Sequence, residues 1–426
     1  MAHRTIKKGY DHLVTRLNRS PQGAPPSALL NKILAILMTE KEAGLLALLP
    51  IRPFTAEIAA RTWKSSLTES RNILEKLASR ALLVDVQEDD HSVYSLPPPM
   101  AGFFEFSLMR TRGDIDQKAL SELFHQYLNV EEDFVKALFT EGETQLGRIF
   151  VQEPVLSNEN AAYVLDFERA SEVINTASHI GVGMCYCRHK KQHLGEACDA
   201  PMNICMTLNG CAESLTKHEY ARAVDKVEGM DLLTEAYEHG LVQFGENVQN
   251  KVSFICNCCG CCCEAMIASR KFAHLQPVHT SNFLPEIEDE TCNGCGRCVA
   301  ACPVEALSLV PAQNSLKPKQ MVARLDADVC LGCGVCVRAC HQDSMSLKTR
   351  AARIITPVDN AQRYVLMAIE RGTLQNLIFD NQVLASHRAL AALLGAVFRL
   401  PPVHRAMASE QMKSRFLAAV FRGDGH

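Results

Sequence analysis

Two cysteine runs with the same internal spacing constrain this chain more than any other feature. The first run reads CNGCGRCVAACP from position 292, and the second reads CLGCGVCVRACH from position 330. The spacing C-x2-C-x2-C-x3-C therefore occurs twice, 38 residues apart. Three cysteines two residues apart on a tight loop can present their thiolates to one metal cluster, while the fourth lies beyond the start of a short helix. The repeat predicts two metal centres held by eight thiolates.

The repeated spacing resembles that of bacterial ferredoxins, which hold two [4Fe–4S] clusters. The resemblance covers residues 286–349 and implies that the fourth cysteine of each run binds the cluster of the other run. It assigns the first cluster to Cys292, Cys295, Cys298 and Cys340. It assigns the second cluster to Cys330, Cys333, Cys336 and Cys302. The backbone is expected to pass close to the inorganic core at four loop glycines, Gly294, Gly296, Gly332 and Gly334.

Structural zinc and disulfides are the alternatives for these eight cysteines. Zinc sites generally use two CxxC pairs rather than two runs of four, which favours clusters. One departure from the family pattern is His341, which stands where the first run has Pro303 and leaves the local reduction potential open. The tails after each run, residues 306–310 and 344–348, are predicted to be strands that complete a small βαβ-type repeat.

The distribution of cysteine indicates the redox compartment. The chain of 426 residues has 19 cysteines, none of them before position 185 or after position 340. Clustered thiols in a chain of this size indicate metal ligands in a reducing compartment rather than disulfides. No apolar stretch follows the basic start as in a signal peptide, and none reaches the roughly 18 to 20 residues needed to span a bilayer. We therefore expect a cytoplasmic protein without a transmembrane segment.

Eleven further cysteines lie in residues 181–285, which we predict to be a second iron–sulfur domain. The spacing C-x-C-x10-C-x6-C can surround one cubane with Cys185, Cys187, Cys198 and Cys205. The first two of these are expected on alternate positions of an extended segment. A later run supplies five more candidate ligands, Cys256, Cys258, Cys259, Cys261 and Cys262.

The later run could hold a cluster of its own or share ligands with the first group. Adjacent cysteines diverge on most backbones, so some thiols in the run are expected to stay free and buried. The sequence Cys258-Cys259-Gly260 resembles the CCG motif of heterodisulfide-reductase-type proteins, but the further cysteines of that motif are absent. Structural zinc is the alternative for this region. We favour at least one additional cluster, giving two [4Fe–4S] clusters and one or two more.

A basic run, Arg188 to Lys191, follows Cys187 directly. Positive charge beside cluster sulfurs could shift a reduction potential or bind an anion. Charge runs are more often a solvated face, and we favour that interpretation.

Residues 27–96 have the pattern of three helices followed by a hairpin, with Ser27 as a predicted N-cap. The pattern resembles a winged helix-turn-helix domain, which implies either DNA binding through residues 67–81 or a docking module. The segment has eight Lys or Arg residues and nine Asp or Glu residues, and its wing tip is Glu88-Asp89-Asp90. Acidic groups there would repel phosphates, so we do not expect DNA binding.

The predicted fold class is α+β and multidomain, mostly helical, with a winged-helix-like domain and a ferredoxin-like domain. Residues 1–26 are predicted to be a mobile leader, residues 97–180 a helical region, and residues 350–426 a helical C-terminal extension. The extension has a basic tail, with a short helix expected to run to Phe421. Such a tail can lie on a membrane surface, although we prefer packing against protein.

The function predicted from these features is electron transfer through two ferredoxin clusters and at least one more. The chain has no G-x-G-x-x-G after a strand and no P-loop, so it is expected to need a redox partner protein such as a flavin-containing oxidoreductase. We expect a component of an oxidoreductase system rather than a stand-alone enzyme. The alternatives are a redox-sensing transcriptional regulator and an oxidoreductase with its active centre in residues 185–263.

Overall fold

The computed structural model describes residues 8–312, 320–380, 384–398, 400 and 402–403, and the chain divides into two compact units. The first unit comprises residues 1–144, 213–220 and 359–426, and the second comprises residues 145–212 and 221–358. The described residues mix helix and strand, as predicted. The six predicted segments are finer than this division and stay predictions.

The first unit is mainly helical. Its helices are Lys8–Leu17, Ala28–Leu37, Glu40–Leu48, Ala56–Trp63, Leu67–Ala78, Phe104–Phe106, Gln117–His125, Asp133–Phe139, Asn360–Glu370, Leu374–Ile378 and Ala385–Phe398. Its strands Phe54–Thr55, His91–Ser95 and Val84–Glu88 form a small antiparallel sheet in that order. The predicted N-cap Ser27 accepts a hydrogen bond from the backbone N–H of Leu29, and the predicted hairpin is present.

The start of the described chain differs from the predicted mobile leader. Residues 8–17 form a helix that packs on Glu40–Leu48 and buries Leu13 and Leu17. The buried Arg16 donates a hydrogen bond to the carbonyl of Pro50. Apolar residues at helical spacing, Leu13 to Leu17, were the signal for this helix. Residues 1–7 of the leader lie outside the described residues.

The second unit is built on a six-stranded antiparallel sheet. In spatial order its strands are Gly147–Phe150, Val242–Glu246, Phe254–Cys258, Cys205–Leu208, Ile180–Gly183 and Arg222–Ala223. One face carries the apolar core, to which Val182, Met206 and Ile255 contribute together with the helices Ala170–Thr176 and Lys226–Glu238. Side chains alternate between faces along a strand, so the residues next to these core positions point to the opposite face.

Shorter helices connect and flank this sheet. They are Asn158–Tyr163, Tyr186–His193, Asn209–Lys217 and Glu264–Lys271, with single 3-10 turns at Glu153–Val155, Asp166–Glu168 and Ala273–Leu275. The helix Asn209–Lys217 begins in residues of the second unit, and its residues from Glu213 onward belong with the first.

The two cysteine runs lie in a repeat of helices and strand pairs within the second unit. The short helices are Arg297–Ala301 and Val335–Arg338. The strand Phe283–Ile287 pairs with Met345–Thr349, and Leu307–Pro311 pairs with Met321–Leu325. The predicted strands at residues 306–310 and 344–348 are therefore present, each shifted by one residue.

The predicted C-terminal extension begins with non-helical residues 350–359, after which its described part forms the helices Asn360–Glu370, Leu374–Ile378 and Ala385–Phe398. The short basic helix predicted to reach Phe421 lies outside the described residues. Within the described part of the chain, no helix combines the length and apolar character that crossing a membrane requires.

Candidate metal centres

The first ferredoxin site is a cavity of about 330 Å³ in the second unit. Its lining includes four cysteines, Cys292, Cys295, Cys298 and Cys340. Cys292 and Cys298 are buried, whereas Cys295 is exposed. The hydroxyl of Ser344 lies 3.3 Å from the sulfur of Cys340. This contact and nearby backbone N–H groups outweigh burial and lower the pKa of Cys340.

The second ferredoxin site is a separate cavity of the same volume. Its lining includes Cys302, Cys330, Cys333 and Cys336. Burial raises the pKa of Cys330 to about 11 and that of Cys333 to about 12. Backbone N–H groups point at two of the sulfurs, from Ala306 to Cys302 at 3.2 Å and from Gly332 to Cys330 at 3.4 Å. The structure thus groups the eight cysteines in the same two sets of four that the ferredoxin resemblance implied.

The loop glycines of both sites have positive φ angles, between +68° and +88°. A Cβ on Gly294 would lie 2.3 Å from the carbonyl oxygen of Met321, and one on Gly332 would lie 2.2 Å from that of Phe283. We expected the inorganic core to exclude side chains here. The structure adds a second reason, because the backbone of neighbouring strands already fills the space.

Six of the remaining cysteines form a closed ring, called here the thiol ring. Each thiol shifts the pKa of its two neighbours, in the order Cys185, Cys187, Cys263, Cys258, Cys256, Cys205 and back to Cys185. The Sγ atoms of Cys258 and Cys263 are 3.2 Å apart. All six thiols are brought together by the central sheet and by the starts of two helices.

The sheet supplies Cys205, Cys256 and Cys258. Met206 pairs with Ile255 on the core face, so the flanking positions of these strands share the opposite face. Cys185 precedes the helix Tyr186–His193 and Cys187 lies in its first turn, whereas Cys263 precedes the helix Glu264–Lys271. The predicted extended segment through Cys185 and Cys187 is therefore wrong, because a helix starts between them.

The six ring thiols fall into two alternating sets, one with lowered pKa values and one with raised pKa values. Hydrogen bonds between neighbouring thiols lower the pKa of Cys185, Cys256 and Cys263. They raise the pKa of Cys187, Cys205 and Cys258. The pKa values of Cys256 and Cys263 are lowered to about 5 and about 6. The direction of the pKa shift alternates around the ring, so the six thiols titrate as one group, and a bound metal centre would displace their protons.

The basic run beside Cys187 is buried, so the predicted solvated face is wrong for most of it. Arg188 is 1 % exposed and donates to the carbonyls of Pro201 and Asn257, at 2.9 and 2.8 Å. Burial lowers the pKa of Arg188, but the sulfurs of Cys185 and Cys205 raise it by more. This fixed cation offsets part of the charge of the thiolates.

The next two lysines differ sharply in their environment. Lys190 is fully buried and forms an ion pair with the buried Glu264. Lys191 forms an ion pair with Glu196 at 2.6 Å, where the Glu196 side chain is 58 % exposed. The Lys191 side chain is itself only 12 % exposed, so in this second pair Glu196 alone fits the predicted solvated face.

Four other cysteines form a compact group, called here the four-thiol site. Its members are Cys198, Cys259, Cys261 and Cys262, whose sulfurs all lie within 4.8 Å of one another. A hydrogen bond to Cys262 lowers the pKa of Cys259 to about 4 against the effect of burial, and Arg188 contributes to this lowering. Burial raises the pKa of Cys261 to about 11.

This partition corrects the prediction that Cys185, Cys187, Cys198 and Cys205 surround one centre. Cys198 lies with the later run, and Cys256 and Cys258 join the earlier cysteines. The run shares its ligands between two groups, and the adjacent Cys258 and Cys259 diverge as expected. The adjacent Cys261 and Cys262 do not, because their sulfurs lie 3.6 Å apart in the same group. The expected free thiols in the run are also wrong, since each of its cysteines belongs to one of the two groups. Cys263 was not predicted as a ligand, although its place at the end of the run was a signal. Cys211 lies in neither group, and burial raises its pKa to about 12.

The comparisons with known proteins identify one part of the chain. Residues 291–344 match the family model of the 4Fe-4S dicluster domain. This supports the predicted [4Fe–4S] clusters, and the two cavities with four cysteines each fit the two clusters of such a domain. No curated protein and no solved structure gives a significant match to the chain. The winged-helix resemblance of residues 27–96 stays a prediction.

Proposed function

We propose that this protein transfers electrons through the two clusters of its dicluster domain and a third iron–sulfur centre in the thiol ring. The observation that carries the proposal is the presence of fourteen cysteines in three separate groups, two ferredoxin cavities and the ring. Iron–sulfur clusters exchange single electrons at potentials that their protein surroundings set.

The ferredoxin sites are suited to electron exchange rather than to substrate chemistry. Each cavity offers four thiols, one for each corner of a cubane, so no iron would be left open for a substrate. The N–H groups of Ala306 and Gly332 point at sulfur atoms of the second site. Hydrogen bonds of this kind raise a reduction potential by stabilising the added negative charge.

The thiol ring has the ligands for a further cluster. Its six sulfurs exceed the four that one cubane needs, so the ring can complete a cubane or hold a larger cluster. The buried Arg188 offsets thiolate charge at this position. Burial away from water, with charge compensation, is the environment in which a cluster is protected and its potential tuned.

The ring and the second ferredoxin site are linked by a short stretch of packed chain. Cys258 and Cys263 bracket a turn whose Gly260 approaches the backbone of Pro303 so closely that a Cβ would lie 2.7 Å from the Pro303 carbonyl oxygen. Pro303 directly follows the cluster ligand Cys302. Arg270 and Glu305 form an ion pair at 3.3 Å beside this contact. The close packing supports a relay between the two centres.

The electrons are proposed to come from, or go to, a partner oxidoreductase, for which a flavin protein is the expected class. Residues 27–96 are proposed as a docking module for a protein rather than for DNA. Their hairpin turn carries exposed acidic residues at positions 88–90, which disfavour contact with phosphates. A cytoplasmic location remains our expectation.

The proposal is tested by reductive titration of the anaerobically purified protein, followed by EPR spectroscopy. We expect the wild type to take up more than two electrons per chain, at one electron per cluster. The triple variant C256S/C258S/C263S keeps three ring thiols, fewer than the four that a cubane needs, so it should lose the uptake that belongs to the ring. C211S should match the wild type. An uptake of two electrons in all three proteins would refute the third centre, and no uptake would refute electron transfer.

A further inference from the structure

The four-thiol site differs in size from the other sulfur groups of the molecule. The sulfur of Cys198 lies 3.6 Å from that of Cys259 and 3.7 Å from that of Cys262. The sulfurs of Cys261 and Cys262 are 3.6 Å apart. Among the described residues, no other group of three or more thiols has all of its sulfurs within 4.8 Å of one another.

These distances fit a single ion. A tetrahedral zinc ion about 2.3 Å from each sulfur places the four sulfurs about 3.8 Å apart. A cubane carries its thiolates on the outside of a cube of iron and sulfide, so its ligands must stand farther apart. The dicluster domain provides the comparison within the same chain, because the four cysteines that line each of its cavities do not all have their sulfurs within 4.8 Å of one another. The four-thiol site is too tight for the same cofactor.

We propose that Cys198, Cys259, Cys261 and Cys262 bind one tetrahedral zinc ion, and that this site carries no electrons. Four thiolates with tetrahedral geometry are typical of structural zinc, which keeps no open coordination position. Four thiolates around Zn²⁺ leave two negative charges. The buried Arg188, whose charge acts on Cys259, offsets part of that charge.

The position of the site explains what the ion would do. Three of its ligands lie in the turn between the strand Phe254–Cys258 and the helix Glu264–Lys271, and the fourth lies in a loop 61 residues earlier. Cys258 and Cys263, at the two ends of that turn, belong to the thiol ring. Zinc would therefore tie the turn to the loop of Cys198 and fix two of the six ring sulfurs.

The first test is metal analysis of the full-length protein after anaerobic purification, with iron, acid-labile sulfide and zinc measured per chain. We expect one zinc in the wild type and in C211S, and less than about 0.2 zinc in C198S and C261S. The iron and sulfide contents of these two variants should fall by less than the content of one cubane, which is about four irons and four sulfides per chain. Zinc-free wild type, with a loss of about four irons and four sulfides in C198S, would overturn the proposal in favour of a cubane.

A second measurement uses the wild type alone and so does not depend on the folding of a variant. Zinc X-ray absorption should give four sulfur neighbours at about 2.3 Å. Nitrogen or oxygen neighbours, or a single iron in place of zinc, would overturn the proposal. The result is independent of the third cluster, because one zinc with only eight irons would refute the proposed relay and leave the zinc site standing.

Discussion

Two glycines of the dicluster domain allow the cost of a left-handed backbone to be measured separately from the cost of a steric clash. Gly294 and Gly296 lie in the same loop, with φ angles of +68° and +75°. A Cβ on Gly296 would meet its nearest atom, in the Leu309 side chain, at 3.5 Å, whereas one on Gly294 would meet the Met321 carbonyl oxygen at 2.3 Å. Both positions share the cost of a left-handed backbone, and only Gly294 has the clash.

We predict that G294A destabilises the protein more than G296A. The left-handed conformation costs either variant about 1–2 kcal/mol, and overpacking adds about 1–3 kcal/mol at position 294. The measurements are the thermal midpoint and the iron content of each anaerobically purified variant. Equal losses of stability in the two variants would contradict the prediction, because the left-handed backbone alone would then account for the need for glycine at both positions.

The buried pair Lys190–Glu264 and the more exposed pair Lys191–Glu196 offer a second matched comparison. K190M would leave the charge of Glu264 buried, which typically costs about 3–5 kcal/mol. K191M should cost less, about 1 kcal/mol, because the carboxylate that it leaves unpaired, Glu196, is 58 % exposed and can be solvated by water. Denaturant unfolding of the two variants checks this, and the double variant K190M/E264M should recover much of the loss. A K190M variant as stable as K191M would contradict the burial of the pair.

Single residues also show how far sequence reasoning reached within the site. Loop spacing and the ferredoxin resemblance grouped the eight cysteines of the dicluster domain as the structure does. The prediction of a solvated face for the basic run is wrong for most of it, because the charge of a residue does not reveal whether its side chain is buried. Arg188 is buried because its guanidinium finds two backbone carbonyls and lies near thiolate sulfurs, partners that are distant in sequence.

Helices and hairpins whose ends carry a sequence signal, such as an N-cap or a polar turn, could be predicted. The central sheet could not. The helix that starts after Ser27 has an N-cap, and the hairpin at residues 84–95 has a polar turn. The sheet strands Val242–Glu246 and Phe254–Cys258 instead bury the polar residues Gln243 and Asn257. Gln243 donates to Asn257, which donates to the carbonyl of Ile204. Both faces of the strand Val242–Glu246 are buried, so its alternating sequence does not mark a face exposed to water, and cross-strand partners satisfy its polar groups.

The hairpin strand Val84–Glu88 is tied to residues 213–220 through one carboxylate. The buried Asp85 lies 2.7 Å from the Ser214 hydroxyl, 2.6 Å from Nζ of Lys217 and 2.9 Å from Nε2 of His218. Burial alone would raise the pKa of Asp85, but these contacts lower it from 3.8 to about 2. A lowered folded-state pKa stabilises the protein above the unfolded-state value, and the contribution is lost as the pH falls from about 4 to about 2.

We predict that D85N lowers the free energy of unfolding by about 2 kcal/mol at neutral pH, the equivalent of this pKa difference. The gap between wild type and D85N should shrink as the pH falls from 5 towards 2. Thermal midpoints of both proteins over this range check the prediction. The control D90N changes an exposed carboxylate of the same hairpin and should show no such gap. A gap that does not change with pH would contradict the charged role of Asp85.

On the scale of the whole molecule, 19 cysteines resolve into four groups and one separate thiol, Cys211. The number of groups in residues 185–263 could not be predicted, because strand pairing decides which distant cysteines meet. The register of Met206 with Ile255 brings Cys205 next to Cys256. Spacing along the chain contains no information about that register. Electron transfer through a third centre therefore requires that the thiol ring holds iron.

The measurement that tests this most directly is the iron and acid-labile sulfide content of anaerobically purified wild type, compared with the triple variant C256S/C258S/C263S and with C211S. We predict about twelve or more irons per chain, with matching sulfide, in the wild type and C211S, at four per cubane. The triple variant should fall towards eight, because its three remaining ring thiols cannot ligate a cubane and the dicluster domain would keep its two clusters. Eight irons in all three proteins would contradict the proposed third centre, since the thiol ring would then hold no cluster.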